Sequence, residues 1–288
     1  MQVLRRLLIA LLVATNAFAA EATPKRIVSL SPSTTEILYG VGAFPHVVGV
    51  SQYCTYPPEV AKLARVGGWQ TSDVEKILAL HPDLIVFTDA QAPFISDRLH
   101  AFGLHFIAVP SQSLADVFSA IESIGKATGN QANASMLTRE MHTSLEAIRA
   151  KTERLPRRTV LLSVSRTPGT LSDLYVATAG SYLVDLVEIA GGRSVAEPTR
   201  RGYEKISKEA ILTLNPEIII DLVHGSKARF GEHAADVWND LPELRAVREK
   251  HVYPVDDPFI PHPSQFVTRT AEVFAHILHP ETMSERAH

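Results

Sequence analysis

The chain reads as an α/β protein of two lobes, each a parallel sheet with helices on both faces, joined by one long α-helix. Three observations predict this: an internal duplication, alternating strand and helix patterns in each half, and an unbroken helical stretch between the halves. The duplication can be read directly. Val74-Glu75-Lys76-Ile77-Leu78-Ala79-Leu80-His81-Pro82-Asp83-Leu84-Ile85-Val86 recurs as Lys208-Glu209-Ala210-Ile211-Leu212-Thr213-Leu214-Asn215-Pro216-Glu217-Ile218-Ile219-Ile220, with the glutamate, the apolar pattern and the proline in step. In each copy the apolar residues form the buried side of a short helix, and His-Pro or Asn-Pro stops it. The branched apolar run that follows predicts a strand buried on both faces, as in a parallel sheet.

The other elements repeat in the same order. Residues 26–31 and 158–163 read as a buried first strand in each half, and residues 35–42 and 182–192 as helices ending in glycine. His105-Phe106-Ile107-Ala108-Val109 is echoed by His251-Val252-Tyr253-Pro254-Val255 as a later strand. Between the halves, residues 114–128 and 132–154 are helical in pattern and are broken only at Gly129-Asn130. The second stretch lacks Gly and Pro and would make a stiff connector of about 30 Å. The expected organisation is an N-terminal lobe over 25–128, a linking helix over 129–156, a C-terminal lobe over 157–280 and a tail over 281–288. Two such lobes leave a cleft at the carboxyl ends of their strands, where α/β sheets bind ligands. A single larger α/β enzyme domain is the competing architecture.

Composition allows this reading and excludes others. A length of 288 residues with 45% hydrophobic and 20% charged content suits two ordinary cores. The net charge of −3, without a basic block, argues against nucleic acid or an anionic membrane surface as partner. Cys54 is the single cysteine, so no internal disulfide forms. Residues 1–19 stand apart: Arg5 and Arg6 precede an apolar core over residues 7–14, and Ala17-Phe18-Ala19 forms a small-x-small signature. This reads as a cleaved secretory signal peptide, its apolar run being shorter than the roughly 20 residues that span a bilayer. No cysteine follows it to carry a lipid, so a free periplasmic protein, acting as a monomer, is the expectation.

Catalytic signatures are missing: there is no Gly-x-Ser-x-Gly, His-Glu-x-x-His, P-loop, Gly-x-Gly-x-x-Gly or Cys-x-x-Cys. The 12 histidines are scattered, with no i, i+4 pair on a predicted helix, so no catalytic cofactor or bound metal is expected. The loops are instead aromatic and polar. Ser51-Gln52-Tyr53-Cys54-Thr55-Tyr56-Pro57-Pro58, Gly67-Gly68-Trp69-Gln70, Gly202-Tyr203 and Asp256-Asp257-Pro258-Phe259 all adjoin the repeated elements. Flat side chains beside a few polar groups suit a bulky, partly apolar ligand. Trp238 is expected to pack within the second lobe. Cys54 and His262 carry donors that suit a transition metal, but a lone loop side chain of that kind is ordinarily not a ligand.

The run Arg26-Ile27-Val28-Ser29-Leu30-Ser31-Pro32-Ser33-x-Thr35-Glu36, with Val48-Gly49-Val50-Ser51, Tyr53, Tyr56-Pro57-Pro58, Val66-Gly67-Gly68-Trp69 and Leu80-His81-Pro82-Asp83-Leu84-Ile85, resembles the periplasmic cobalamin-binding proteins of ABC importers. These belong to a wider group that serves haem and iron-siderophore uptake. The resemblance spans about Arg26 to Leu278. It implies two Rossmann-like lobes on a helical backbone, little hinge closure, and a corrinoid (vitamin B12-like) ligand passed to an inner-membrane permease with its ATPase. It further implies that Tyr53 and Trp69 flank the ligand, with Tyr203 and Asp257 near it; Gln70 and Phe259 join them as candidate ligand contacts on the loop reading above. Glu75 and Glu209, one per lobe, match acidic residues that dock on the permease. Two departures stand out: Thr88 where an aromatic residue is expected, and Pro258-Phe259-Ile260-Pro261-His262-Pro263 in place of a more basic segment. Haem or a ferric siderophore is the alternative ligand; an anionic siderophore would draw on Arg166, Arg200 and Arg201, and haem on a Tyr or His axial ligand. A chelatase-like α/β enzyme is the rival from another class and requires a titratable pair in the cleft.

Overall fold

The first sheet is built from short, fully buried strands, as the branched apolar runs require. In a computed structural model describing residues 23–223 and 234–283, β1 (Ile27–Ser29), β2 (Val47–Val50), β3 (Ala64–Arg65), β4 (Leu84–Thr88) and β5 (Phe106–Val109) lie in the order β3-β2-β1-β4-β5, all parallel. The segment read as a signal peptide and residues 284–288 of the tail lie outside the described residues. Helices α1 (Pro32–Gly40), α2 (Val74–Ala79) and α3 (Ala92–Ala101) lie in crossovers that parallel strands need, a 3-10 turn over Pro58–Lys62 lies between β2 and β3, and α4 (Leu114–Ala127) follows β5. A 22-residue helix, α5 (Gln131–Thr152), then leads to the second lobe, after a break at Gly129-Asn130 as expected.

The second sheet departs from the expected all-parallel plan. Its order is β11-β10-β6-β7-β9, with β6 (Arg158–Ser165), β10 (Ile218–Leu222) and β11 (Val252–Val255) parallel. Strand β7 (Tyr175–Ala177) runs antiparallel to β6, and β9 (Tyr203–Lys205) antiparallel to β7. The reason is local. The chain leaving β6 turns at Pro168-Gly169, with Gly169 at φ 74°, and returns before any crossover helix can form. The long β6 serves two neighbours on one side: its first residues pair with β8 (Gly192–Ser194) in parallel and its last with β7. Helices α6 (Tyr182–Ile189), α7 (Lys208–Leu214), α8 (Arg245–Arg248) and α9 (Val267–Leu278) complete the lobe.

The duplicated motif explains its own composition. His81 and Asn215 both adopt left-handed backbone, φ 45° and 41°, which ends each helix before its proline. The acid after each proline pins the first strand of its lobe. Asp83 accepts the backbone N–H groups of Lys25 and Arg26 at 2.7 and 2.9 Å, and Glu217 accepts that of Thr159 at 2.7 Å.

Strand alternation divides the interior. Val28, Leu30, Ile85 and Phe87 face a cluster private to the first lobe, and Leu161 and Ile219 face one private to the second. The opposite strand faces, carrying Ile27, Leu84, Val86, Val160, Leu162, Ile218 and Ile220, share one continuous core. Met141, Leu145 and Ile148 of α5, with Val267, Ala271, Phe274 and Leu278 of α9, bridge the lobes within it. Trp238 is fully buried in a 3-10 turn over Ala234–Asp240, and its indole N–H donates to Asp221 at 3.1 Å.

Candidate functional site

The parallel strands of the first lobe all point their carboxyl ends toward the second lobe, and a cleft of about 440 Å³ opens there. Its floor is Ser31, Pro32 and Ser33 at the start of α1, with Thr88 at the end of β4 and Ala90 and Ser111 just beyond β4 and β5. Tyr53 and Trp69 enter from the first lobe, Tyr182 and Tyr203 from the second, and Pro261, His262 and Pro263 close one end.

Each aromatic residue is held by identifiable bonds. Arg65 braces the Tyr53 loop by donating to the carbonyls of Ser51 and Cys54 at 3.0 and 2.7 Å. The Trp69 loop turns at Gly67, φ 101°, where a Cβ would come within 2.5 Å of the Thr71 carbonyl oxygen. Fully buried Gln91 then ties this loop to β1, its side-chain amide donating to the Trp69 and Leu30 carbonyls, each at 3.0 Å. Phe94 stands beside the Trp69 ring at a centroid distance of 5.8 Å. The Tyr203 hydroxyl is pushed up to about 12 by burial, so it is a neutral phenol at ordinary pH. Burial also raises the Tyr182 hydroxyl well above its usual value, and that hydroxyl donates to the Ile260 carbonyl at 2.9 Å.

Under the floor lies a network of buried hydroxyls: Thr35 Oγ1 donates to Ser29 Oγ at 2.8 Å, and Ser31 caps α1 by accepting the Thr34 N–H at 3.3 Å. Cys54 joins it, with Sγ 3.2 Å from Thr35 Oγ1. The thiol is buried rather than on the cleft wall, and burial lifts its pKa to about 11.

The structure thus brings Tyr53, Trp69 and Tyr203 together on one cleft and places the other three expected ligand contacts elsewhere. Gln70 is exposed beside Trp69 and is not part of the cleft wall. Asp257 turns back on its own loop, accepting the Phe259 N–H at 2.9 Å and pairing with Arg269 at 2.7 Å. Phe259 packs with Tyr56 and Phe266, centroids 5.4 and 4.1 Å away, under the Arg269 guanidinium. This anchoring to α9 leaves Pro261 to Pro263, further along the same loop, to reach the cleft. The arginines considered for an anionic ligand are not on the described wall either: Arg166 is buried and paired with Asp221 at 2.9 Å, and neither Arg200 nor Arg201 lines it.

Sequence reasoning missed Ser31, Ser33, Ala90, Ser111 and Tyr182 as wall residues. The signal was present, because each lies at or near the carboxyl end of a predicted strand or the start of a predicted helix. It also missed Glu36. This residue of α1 is only 2% exposed, yet its carboxylate meets His262 Nδ1 at 2.7 Å and accepts from Ser264 Oγ at 2.5 Å. A buried acid in one lobe therefore holds a loop of the other.

Glu75 and Glu209 lie outside the cleft, exposed at the same position in the first turns of α2 and α7. Asp73 and Ser207 cap the two helices, accepting the Lys76 and Ala210 N–H groups at 3.1 and 3.2 Å. The adjacent lysines are engaged by other acids, Lys76 by Asp73 and Lys208 by Asp240. The Glu209 carboxyl is held below its usual value, first by its own backbone N–H and then by Ser207.

Two α/β lobes on a helical backbone, enclosing an aromatic cleft, define a solute-binding protein. The family model for periplasmic binding proteins matches residues 27–258, and the chain belongs to that family. It is 31% identical over 269 residues to an uncharacterized ABC transporter substrate-binding lipoprotein, YvrC, of Bacillus subtilis, covering 91% of this chain and 82% of that one. Its fold matches the crystal structure of the periplasmic vitamin B12 binding protein BtuF of Vibrio cholerae with a TM-score of 0.75 and 25% identity, covering 88% and 96% of the two chains. The periplasmic heme-binding protein RhuT of Roseiflexus shares the fold at a TM-score of 0.78 and 22% identity, covering 90% and 99%. The family consists of substrate-binding transport proteins, which work with a membrane permease and its ATPase. Among the described residues, no helix is long and apolar enough to cross a membrane.

Proposed function

We propose that this protein captures a corrinoid, a vitamin B12-like ligand, in the periplasm and delivers it to an inner-membrane ABC permease. The observation that carries the reading is the chemistry of the cleft wall. Tyr53, Trp69 and Tyr203 offer flat faces beside hydroxyls and prolines, and the described wall has no arginine or lysine. A corrin is a large, partly apolar ring rimmed by neutral amides, so it asks for flat surfaces and hydrogen-bonding groups rather than counter-ions. A ferric siderophore with carboxylate arms, or haem with its two propionates, asks for cations. The name of the Vibrio cholerae relative supports the same ligand. Export follows from the leader read in residues 1–19, and docking on the permease is assigned to Glu75 and Glu209.

Haem is the second reading, favoured by the imidazole of His262 on the cleft wall. Calorimetric and visible-absorbance titration of the mature protein with cyanocobalamin, cobinamide and haemin separates the two. Corrinoid binding, weakened about tenfold by Tyr53→Ala or Trp69→Ala, is the expected result. Binding of haemin alone would overturn the corrinoid assignment.

A further inference from the structure

We propose that His262 is an axial ligand to the metal of the macrocycle carried in the cleft, and that Glu36 is the positioning residue that sets its tautomer. The inference rests on the macrocycle reading above. His262 lines the cleft, and its Nδ1 lies 2.7 Å from the carboxylate of Glu36, which is 2% exposed. The second carboxylate oxygen is occupied by Ser264 Oγ at 2.5 Å, and the Glu36 backbone carbonyl accepts from the Gln265 amide at 2.8 Å. A carboxylate can only accept here, so Nδ1 carries the hydrogen, and the tautomer this selects for a neutral ring has its lone pair on Nε2. Among the described residues Nε2 has no hydrogen-bond partner, and it is not one of the buried polar atoms left without one. Nε2 thus keeps solvent access, on a side chain that lines the cleft. A carboxylate on one imidazole nitrogen and a metal on the other is the usual way proteins orient a histidine ligand.

The ring is held in place before any ligand arrives. The His262 N–H donates to the Phe259 carbonyl at 3.0 Å, the preceding turn is held by Tyr182 through Ile260, and prolines flank the residue on both sides. Two competing donors are poorly prepared: Cys54 is buried under the floor with its thiol protonated, and Tyr203 is a neutral phenol. Among the described residues no group of three or more His, Cys, Asp or Glu is arranged to hold a free metal ion, so the bond goes to a metal already chelated by its ring. In the step itself the Nε2 lone pair replaces an axial water. One metal–nitrogen bond forms, one metal–oxygen bond breaks, and no electrons are transferred.

The test compares diaquocobinamide, whose axial waters exchange, with dicyanocobinamide, whose axial positions are filled, and adds haemin as a third arm. On binding one equivalent of diaquocobinamide the wild-type protein is expected to shift the visible bands to those of an imidazole adduct. His262→Ala should abolish that shift and weaken diaquocobinamide at least about tenfold more than dicyanocobinamide; Glu36→Gln should cost about ten- to a hundredfold. Because Glu36 is buried, the wild-type spectrum and the His262→Ala variant decide the matter. A histidine-ligated spectrum with haemin instead, lost in His262→Ala, supports the axial role with iron as the metal. Tight corrinoid binding with unchanged bands overturns the axial role and leaves the macrocycle reading standing. Failure of all three probes to bind overturns both.

Discussion

Cys54 shows how surroundings fix the chemistry of one atom. In sequence it sits between Gln52-Tyr53 and Thr55-Tyr56, in a loop rich in ligand-like side chains. In the fold its side chain turns under the cleft floor, and burial pushes the thiol to about 11, well above its ordinary value. A shift of that size leaves about 100-fold less thiolate at mildly alkaline pH. The folded protein should therefore resist iodoacetamide while the denatured chain reacts fully; mass spectrometry of the intact chain reads the difference, and rapid native labelling would contradict the placement. His262 went the other way. In sequence it was a lone loop histidine whose donor suits a transition metal, and the feature that distinguishes it is Glu36, over 200 positions away in the chain. No local pattern contains that contact.

At the scale of elements, the repeated helix–proline–strand unit makes two separate predictions. The first concerns stability. The Glu217 carboxyl is held below its usual value, chiefly by the Thr159 N–H and further by Arg245. A depressed folded-state value means that its stabilisation is fully present above the unfolded value and is lost as pH falls through the folded one. Glu217→Gln should cost about 1–2 kcal/mol near neutrality, and thermal melts of the two proteins should converge as the pH drops below the carboxylate range. The second concerns partners. Glu75→Ala with Glu209→Ala should leave ligand affinity unchanged and reduce uptake in cells about tenfold, since paired rim charges mainly set docking. Undiminished uptake would remove the docking role.

The same unit was fully legible before any coordinates, because helix periodicity, a stop and a buried strand are all local signals. The antiparallel return of β7 and β9 was not, since three-residue strands carry too few side chains to show a period. In the site, Tyr53, Trp69 and Tyr203 were readable as aromatics in loops at strand ends. Asp257 and Phe259 carried the same signature, yet Arg269 on α9 draws both away from the cleft.

Over the whole molecule, the private clusters lie on the outer face of each sheet, and the shared core joins the inner faces through α5 and α9. Unfolding should consequently be one cooperative transition. Calorimetry should give a van't Hoff enthalpy equal to the measured enthalpy, whereas two resolved transitions would show lobes that melt apart.

A core common to both lobes also bears on traffic at the membrane. On the small hinge closure that the family resemblance implies, empty and loaded copies would show nearly the same outline. On the docking proposed for Glu75 and Glu209, an unloaded copy offers the permease the same two charges at the same separation as a loaded one. Copies without cargo then compete for the same berth, and the fraction of the pool that is filled, rather than a change of shape, sets the rate of delivery.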